Sequence, residues 1–128
     1  MRSVSLTWPG GEDEFALPIG ALRALQEARN AGPEQLFNRL RFGDWHIDDI
    51  VQVLRCGLMG AGLERGVATQ KVMSVIDLHP HLAFKPPAIA VLSHALLGVA
   101  DDPVGEGQGE TETPPENGSS PNSTVQAP

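Results

Sequence analysis

Apolar residues between positions 47 and 58 fall at Ile47, Ile50, Val51, Leu54 and Leu58. Steps of three and four lay these side chains along one stripe of a 3.6-residue helix, a stripe that has to be covered by other parts of the chain. Asp44, Asp48 and Asp49 bring negative charge to the first turn, where unpaired backbone N–H groups and the helix dipole favour it. Asp49 is placed to reach back to one of those N–H groups as a cap. Gly57, Gly60 and Gly62 crowd the other end, where a left-handed residue is commonly needed and glycine adopts it without steric cost. A helix starting near Ile47 and a loop after it are therefore predicted.

The first residues follow a different period. Val4, Leu6 and Trp8 alternate with Ser3, Ser5 and Thr7, the pattern of a half-buried strand. Pro9-Gly10-Gly11 signals a turn, and Glu14-Phe15-Ala16-Leu17 alternates again, so a β-hairpin is expected, packed by its apolar face on helices. Pro18 suits the first turn of a helix carrying Ile19, Leu22, Leu25 and Ala28, interrupted at Asn30-Ala31-Gly32. Pro33 opens a second, with Leu36, Phe37 and Leu40, ending near Phe42-Gly43. After the central helix a fourth is predicted from about Val67 to Leu78, with Val72, Met73 and Ile76 inward and Pro80 closing it. The fifth runs from about Pro87 to Leu97, with Ile89, Leu92 and Leu96 inward and Gly98 as its stop.

From Asp101 onward the periodicity vanishes into Gly, Pro, Ser, Thr, Asn and Glu, with Val104 and Val125 the only sizeable apolar side chains. Such a segment cannot bury enough surface to offset the entropy of ordering it. The expected fold is thus mainly α: a helical domain over residues 1–99, with about five helices and an N-terminal β-hairpin, and a disordered acidic C-terminal tail over 100–128.

Charge changes meaning when divided along this boundary. Residues 1–99 hold nine bases against ten acids, a net of −1, whereas residues 100–128 hold six acids and no bases, a net of −6. The two lysines and seven arginines are scattered among acids, so the clustered basic face that nucleic acid requires is not expected. The longest apolar stretch, Ala88 to Leu97, contains Ser93 and His94 and falls short of the roughly 20 residues that span a bilayer. The lone Cys56 has no internal disulfide partner, and no N-terminal segment resembles a secretion signal. These features predict a cytoplasmic protein with no nucleic-acid or membrane partner.

Residues with chemical potential do not converge. Gly57-Leu58-Met59-Gly60-Ala61-Gly62 follows a helix and lacks the Lys-Ser/Thr pair of a phosphate loop, so a helix terminus with close backbone approach is expected instead. Asp77, His79 and His81 lie close in sequence but have no fourth ligand at a recognised metal spacing, and a capping or exposed role is expected. Ser93 and His94 point about 100° apart on a helix and do not form a nucleophile and base by spacing alone. Asp48 and Asp49 diverge in the same way. Cys56, near a helix C-terminus that disfavours a thiolate, is expected to pack. No catalytic, metal or cofactor site is predicted, and the chain is not expected to be an enzyme. Trp8 and Trp45 could each anchor a partner or pack in the core, the latter being the more frequent use of a tryptophan beside apolar runs. Trp45, Leu58 and Met59 are the candidate partner-binding residues.

Three stretches in order carry a family resemblance: Trp8-Pro9-Gly10-Gly11-Glu12, then Phe15-Ala16-Leu17-Pro18-Ile19-Gly20-Ala21-Leu22-Arg23-Ala24-Leu25-Gln26-Glu27, then Gly43-Asp44-Trp45 through Gly62. Together they resemble the gene transfer agent tail-assembly chaperone family, found with phage and phage-like tail operons. That family's pattern is a hairpin, an Ile-Gly-x-Leu-Arg-x-Leu-Gln helix, and a Gly-x-Trp helix leading into a Gly-Leu-x-Gly-x-Gly turn. The resemblance covers residues 4 to about 98 and weakens after Gly66. It implies a non-enzymatic helper in long-tail morphogenesis that holds the aggregation-prone tape-measure protein and delivers it for tube polymerisation, with other tail-assembly proteins and self-association as further contacts. Members have also been labelled tail-tube proteins, so the alternative is a structural component retained in the particle. No catalytic or binding residue is carried over. A small helical domain covering an apolar stripe of a long helical chain is physically compatible with the first role, and an acidic tail would help keep the complex soluble.

Overall fold

The alternation at the N-terminus does become a hairpin in the computed structural model, which describes residues 2–98. Strand β1 (Val4–Trp8) pairs antiparallel with β2 (Gly11–Phe15), Val4 opposite Phe15 and Trp8 opposite Gly11. Five helices follow: α1 (Ile19–Arg29), α2 (Pro33–Phe42), α3 (Ile47–Gly60), α4 (Arg65–Ile76) and α5 (Lys85–Leu97), with a 3-10 turn at His81–Phe84 leading into the last. The predicted disordered tail, and residue 99 at the end of the predicted domain, lie outside the described residues.

Helix α3 is the hub, touching β2 and all four other helices, while α2 also packs on α5 and α1. Its buried surface is consequently wider than one stripe: Val53, Cys56 and Gly57 are covered along with Ile50, Val51, Leu54 and Leu58. Ile47 is the exception, 39% exposed. Helical side chains lean toward the N-terminus, so the side chain of the first helical residue projects past the helix end rather than over a preceding turn.

The glycines of α3 have different roles from the predicted ones. Gly57 and Gly60 lie within the helix, and a Cβ on Gly60 would come within 2.0 Å of the Ala16 carbonyl oxygen. Gly60 admits the backbone linking β2 to α1, whose Ala16 N–H donates to the Gly57 carbonyl at 2.9 Å, and Gly57 faces the side chains of Phe15 and Val91. Only Gly62, at φ +116°, supplies the positive-φ residue past the helix end. There the N–H groups of Gly62 and Leu63 donate back to Met59 and Leu58. The close backbone approach expected for this segment is present, and it replaces any phosphate-loop geometry.

Several inward assignments shift. Helix α4 buries Ala68, Val72 and Ile76, one line at intervals of four, and leaves Met73 exposed, since the residue after Val72 is turned about 100° away. It begins two residues before Val67, where the Glu64 carboxylate accepts from the Val67 N–H, and it ends before Leu78. Helix α5 begins before Pro87, because prolines at 86 and 87 sit in a first turn whose N–H groups need no helical partner. Ala88, Val91 and Leu92 form its deep face, with Ile89 and Leu96 half-buried. In α1, Leu25 is buried and Leu22 half-buried, whereas Ile19 and Ala28 are exposed.

Candidate partner-binding surface

Asp49, Cys56 and His94 are buried within the domain. Asp49, with no exposed side-chain surface, accepts from the His46 backbone N–H at 2.8 Å, capping α3 as expected. It also receives Arg29 Nε at 2.7 Å and Arg39 Nη1 at 3.2 Å, joining the ends of α1, α2 and α3. Burial raises its pKa, but the His46 N–H and the two guanidiniums outweigh this and hold it below the ordinary value of 3.8. Cys56 is buried, and desolvation pushes its thiol pKa up despite the neighbouring Arg55.

His94, also buried, donates from Nε2 to the Arg2 backbone carbonyl at 2.8 Å, fastening α5 to the start of the hairpin. Asp77, His79 and His81 are all exposed, with Asp77 and His81 only 3.9 Å apart. No group of three or more metal-ligating side chains comes together among the described residues, and none of their helices is long and apolar enough to cross a membrane.

Trp8 is a core residue. Its ring meets Phe15 and Phe84 edge-on at 5.7 and 6.3 Å, and its indole N–H donates to Asp13 Oδ2 at 2.8 Å. Lys71 reaches the other Asp13 oxygen at 3.1 Å, linking α4 to the hairpin.

The three candidate partner-binding residues do not form one surface. Leu58 packs in the core, 1% exposed, on the floor of a shallow cleft with Ser5, Asp13 and Leu63, and offers a partner almost nothing to touch. Its place on the buried stripe of α3 already implied this. Trp45 and Met59 are half-buried against the core. Trp45 precedes the first turn of α3 and Met59 lies in its last, separated by roughly 18 Å of helix at 1.5 Å per residue.

A different pair of elements forms an apolar concavity at the surface. Between α2 and α5 lies a groove of about 350 Å³ lined by Glu34, Phe37, Arg41, Leu96 and Leu97. Leu97 is 64% exposed, and Phe42, 74% exposed, adjoins the groove through Arg41. The Arg41 guanidinium lies 4.4 Å from the centre of the Phe37 ring and 4.9 Å from that of Phe42. The sequence held one signal of this surface: Phe42 stands about 200° round the helix from Leu40, off the stripe that buries Leu36, Phe37 and Leu40. On α5 only Leu96 belongs to the predicted inward stripe; Leu97 stands about 100° round from it and is exposed.

A comparison with curated proteins and one with solved structures found no match. A family-level sequence model described as phage tail tube protein, GTA-gp10, matches residues 2–98. That span coincides with the hairpin and all five helices, and on it the chain belongs to this phage and gene transfer agent tail family.

Proposed function

We propose that this protein is a tail-assembly chaperone that binds the tape-measure protein during tail morphogenesis and does no catalysis. Membership of a phage tail family across the whole described domain carries the reading. Its surface chemistry agrees with it: large apolar side chains, Phe42, Leu97 and Leu78 among them, stand in solvent on a domain whose body is almost charge-neutral. Asp49, Cys56 and His94 are committed to packing and to internal bonds. A holder of a long helical chain needs apolar surface to cover apolar stripes, and it needs no reactive group.

The family description itself favours a second reading, a tube-associated component that stays in the particle. Co-expression with the cognate tape-measure protein tests the first. The expected result is a soluble complex whose affinity persists at 1 M salt, where the Debye length is about 3 Å, with a negative heat-capacity change on binding. Absence of any complex would overturn the chaperone reading; a complex that dissociates in salt would show that surface charge, not apolar contact, holds it.

A further inference from the structure

We infer that the groove between α2 and α5 docks an amphipathic helix of the partner chain, one that offers apolar side chains flanked by a carboxylate. This rests on the chaperone reading and adds to it where the partner sits and what the contacting segment must carry.

Size, preorganisation and charge support the assignment. A space of about 150 Å³ holds one benzene-sized group, so a groove of about 350 Å³ takes two side chains of an apolar stripe. Phe37 and Leu96 form its inner wall, the exposed Leu97 extends it outward, and the exposed Phe42 stands beside it across the Arg41 guanidinium. Arg41 supplies the polar specificity. Stacking on two rings and a 2.7 Å bond from Nη2 to Asn38 Oδ1 fix its guanidinium, leaving other N–H donors available at the groove edge. No carboxylate among the described residues lies within ion-pair distance of it. A preorganised guanidinium loses little freedom on donating two hydrogen bonds to a carboxylate, and aromatic and arginine side chains are the types that dominate interface energetics. Glu34 lines the same groove seven residues earlier on α2, about 10 Å away along the axis. A helix lying along α2 therefore meets both charges when it carries an acid and a base about two turns apart, and this fixes its direction.

The test measures binding of the full-length chain to its cognate tape-measure protein by calorimetry, with thermal unfolding and sedimentation of every variant. The double substitution Phe42→Ala with Leu97→Ala, and separately Arg41→Glu, are expected to weaken binding by at least about tenfold, as for central interface anchors. Both positions of the double variant are solvent-exposed, so the unfolding midpoint should hold. Met73→Ala, exposed on α4, should leave affinity unchanged. If the wild-type chain binds and the groove variants bind equally well, the groove assignment is wrong while the chaperone reading stands. If the wild-type chain does not bind, both fall. If the groove variants lose self-association but keep their affinity for the tape-measure protein, a second copy of this chain occupies the groove and the assignment is overturned.

Discussion

The Asp49 carboxylate, on the first turn of α3, meets Arg29 Nε at 2.7 Å across 20 residues of sequence, with Arg39 as a second cation. Three helix ends thus share one buried negative charge. Asp49→Asn would leave two guanidiniums without their counter-ion, and it is expected to cost about 3 kcal/mol, the lower end for breaking a buried pair because both arginines keep some solvent contact.

Acid should reveal the same node. Asp49 is more acidic in the folded chain than in the unfolded one, so its stabilising contribution is complete above the ordinary value of 3.8 and is lost as pH falls through the depressed folded value. Thermal midpoints of wild type and Asp49→Asn are expected to differ at neutral pH and to converge under strongly acidic conditions. Curves that stay parallel to the lowest pH at which the domain is folded would contradict this.

Gly60→Ala sets helix propensity against space. Alanine gains up to about 1 kcal/mol over glycine in a helix interior, but its methyl group would lie 2.0 Å from the Ala16 carbonyl oxygen, and backbone cannot yield as a side chain can. A net loss of about 1 to 3 kcal/mol is expected, as for overpacking. Gly57→Ala should cost less, since the nearest atoms, at 3.0 and 3.1 Å, belong to the side chains of Phe15 and Val91. Gly20→Ala, with nothing within 4 Å, should be neutral or slightly stabilising. Chemical denaturation of the three variants gives the order.

Leu54→Ala should destabilise by roughly 2 to 5 kcal/mol, the cost of truncating a fully buried leucine. Met73→Ala, exposed on α4, should change stability by less than about 0.5 kcal/mol. Comparable losses at the two positions would place the core wrongly.

Cys56 should resist thiol reagents in the folded chain and react at once on unfolding, because burial both shields the sulfur and disfavours its thiolate. A time course with a chromogenic disulfide, with and without denaturant, checks it; rapid modification of the native chain would mean that α3 opens.

What could be read from sequence was local or periodic. The stripe of α3 and the hairpin followed from their periods, the Asp49 cap from its place in the first turn. The two arginines that pair with Asp49 stand 10 and 20 residues away, a distance that only the packing of α1 and α2 on α3 closes. Close backbone approach was expected for the 57–62 segment, but a glycine that ends a helix and one that lies within it look alike in sequence, so the place of Gly60 inside α3 against Ala16 emerged only from the packing. The groove was illegible for a related reason. Leu97 closes an apolar run on α5, and nothing in that run shows that α2 packs beside it.

The central claim is that this chain serves tail assembly and then leaves, and quantitative mass spectrometry of assembly intermediates and of purified mature particles tests it most directly. The account predicts the chain together with the tape-measure protein in intermediates and its absence from mature particles. Retention in mature particles, in fixed ratio to the tube subunits, would contradict it and establish a structural tail component.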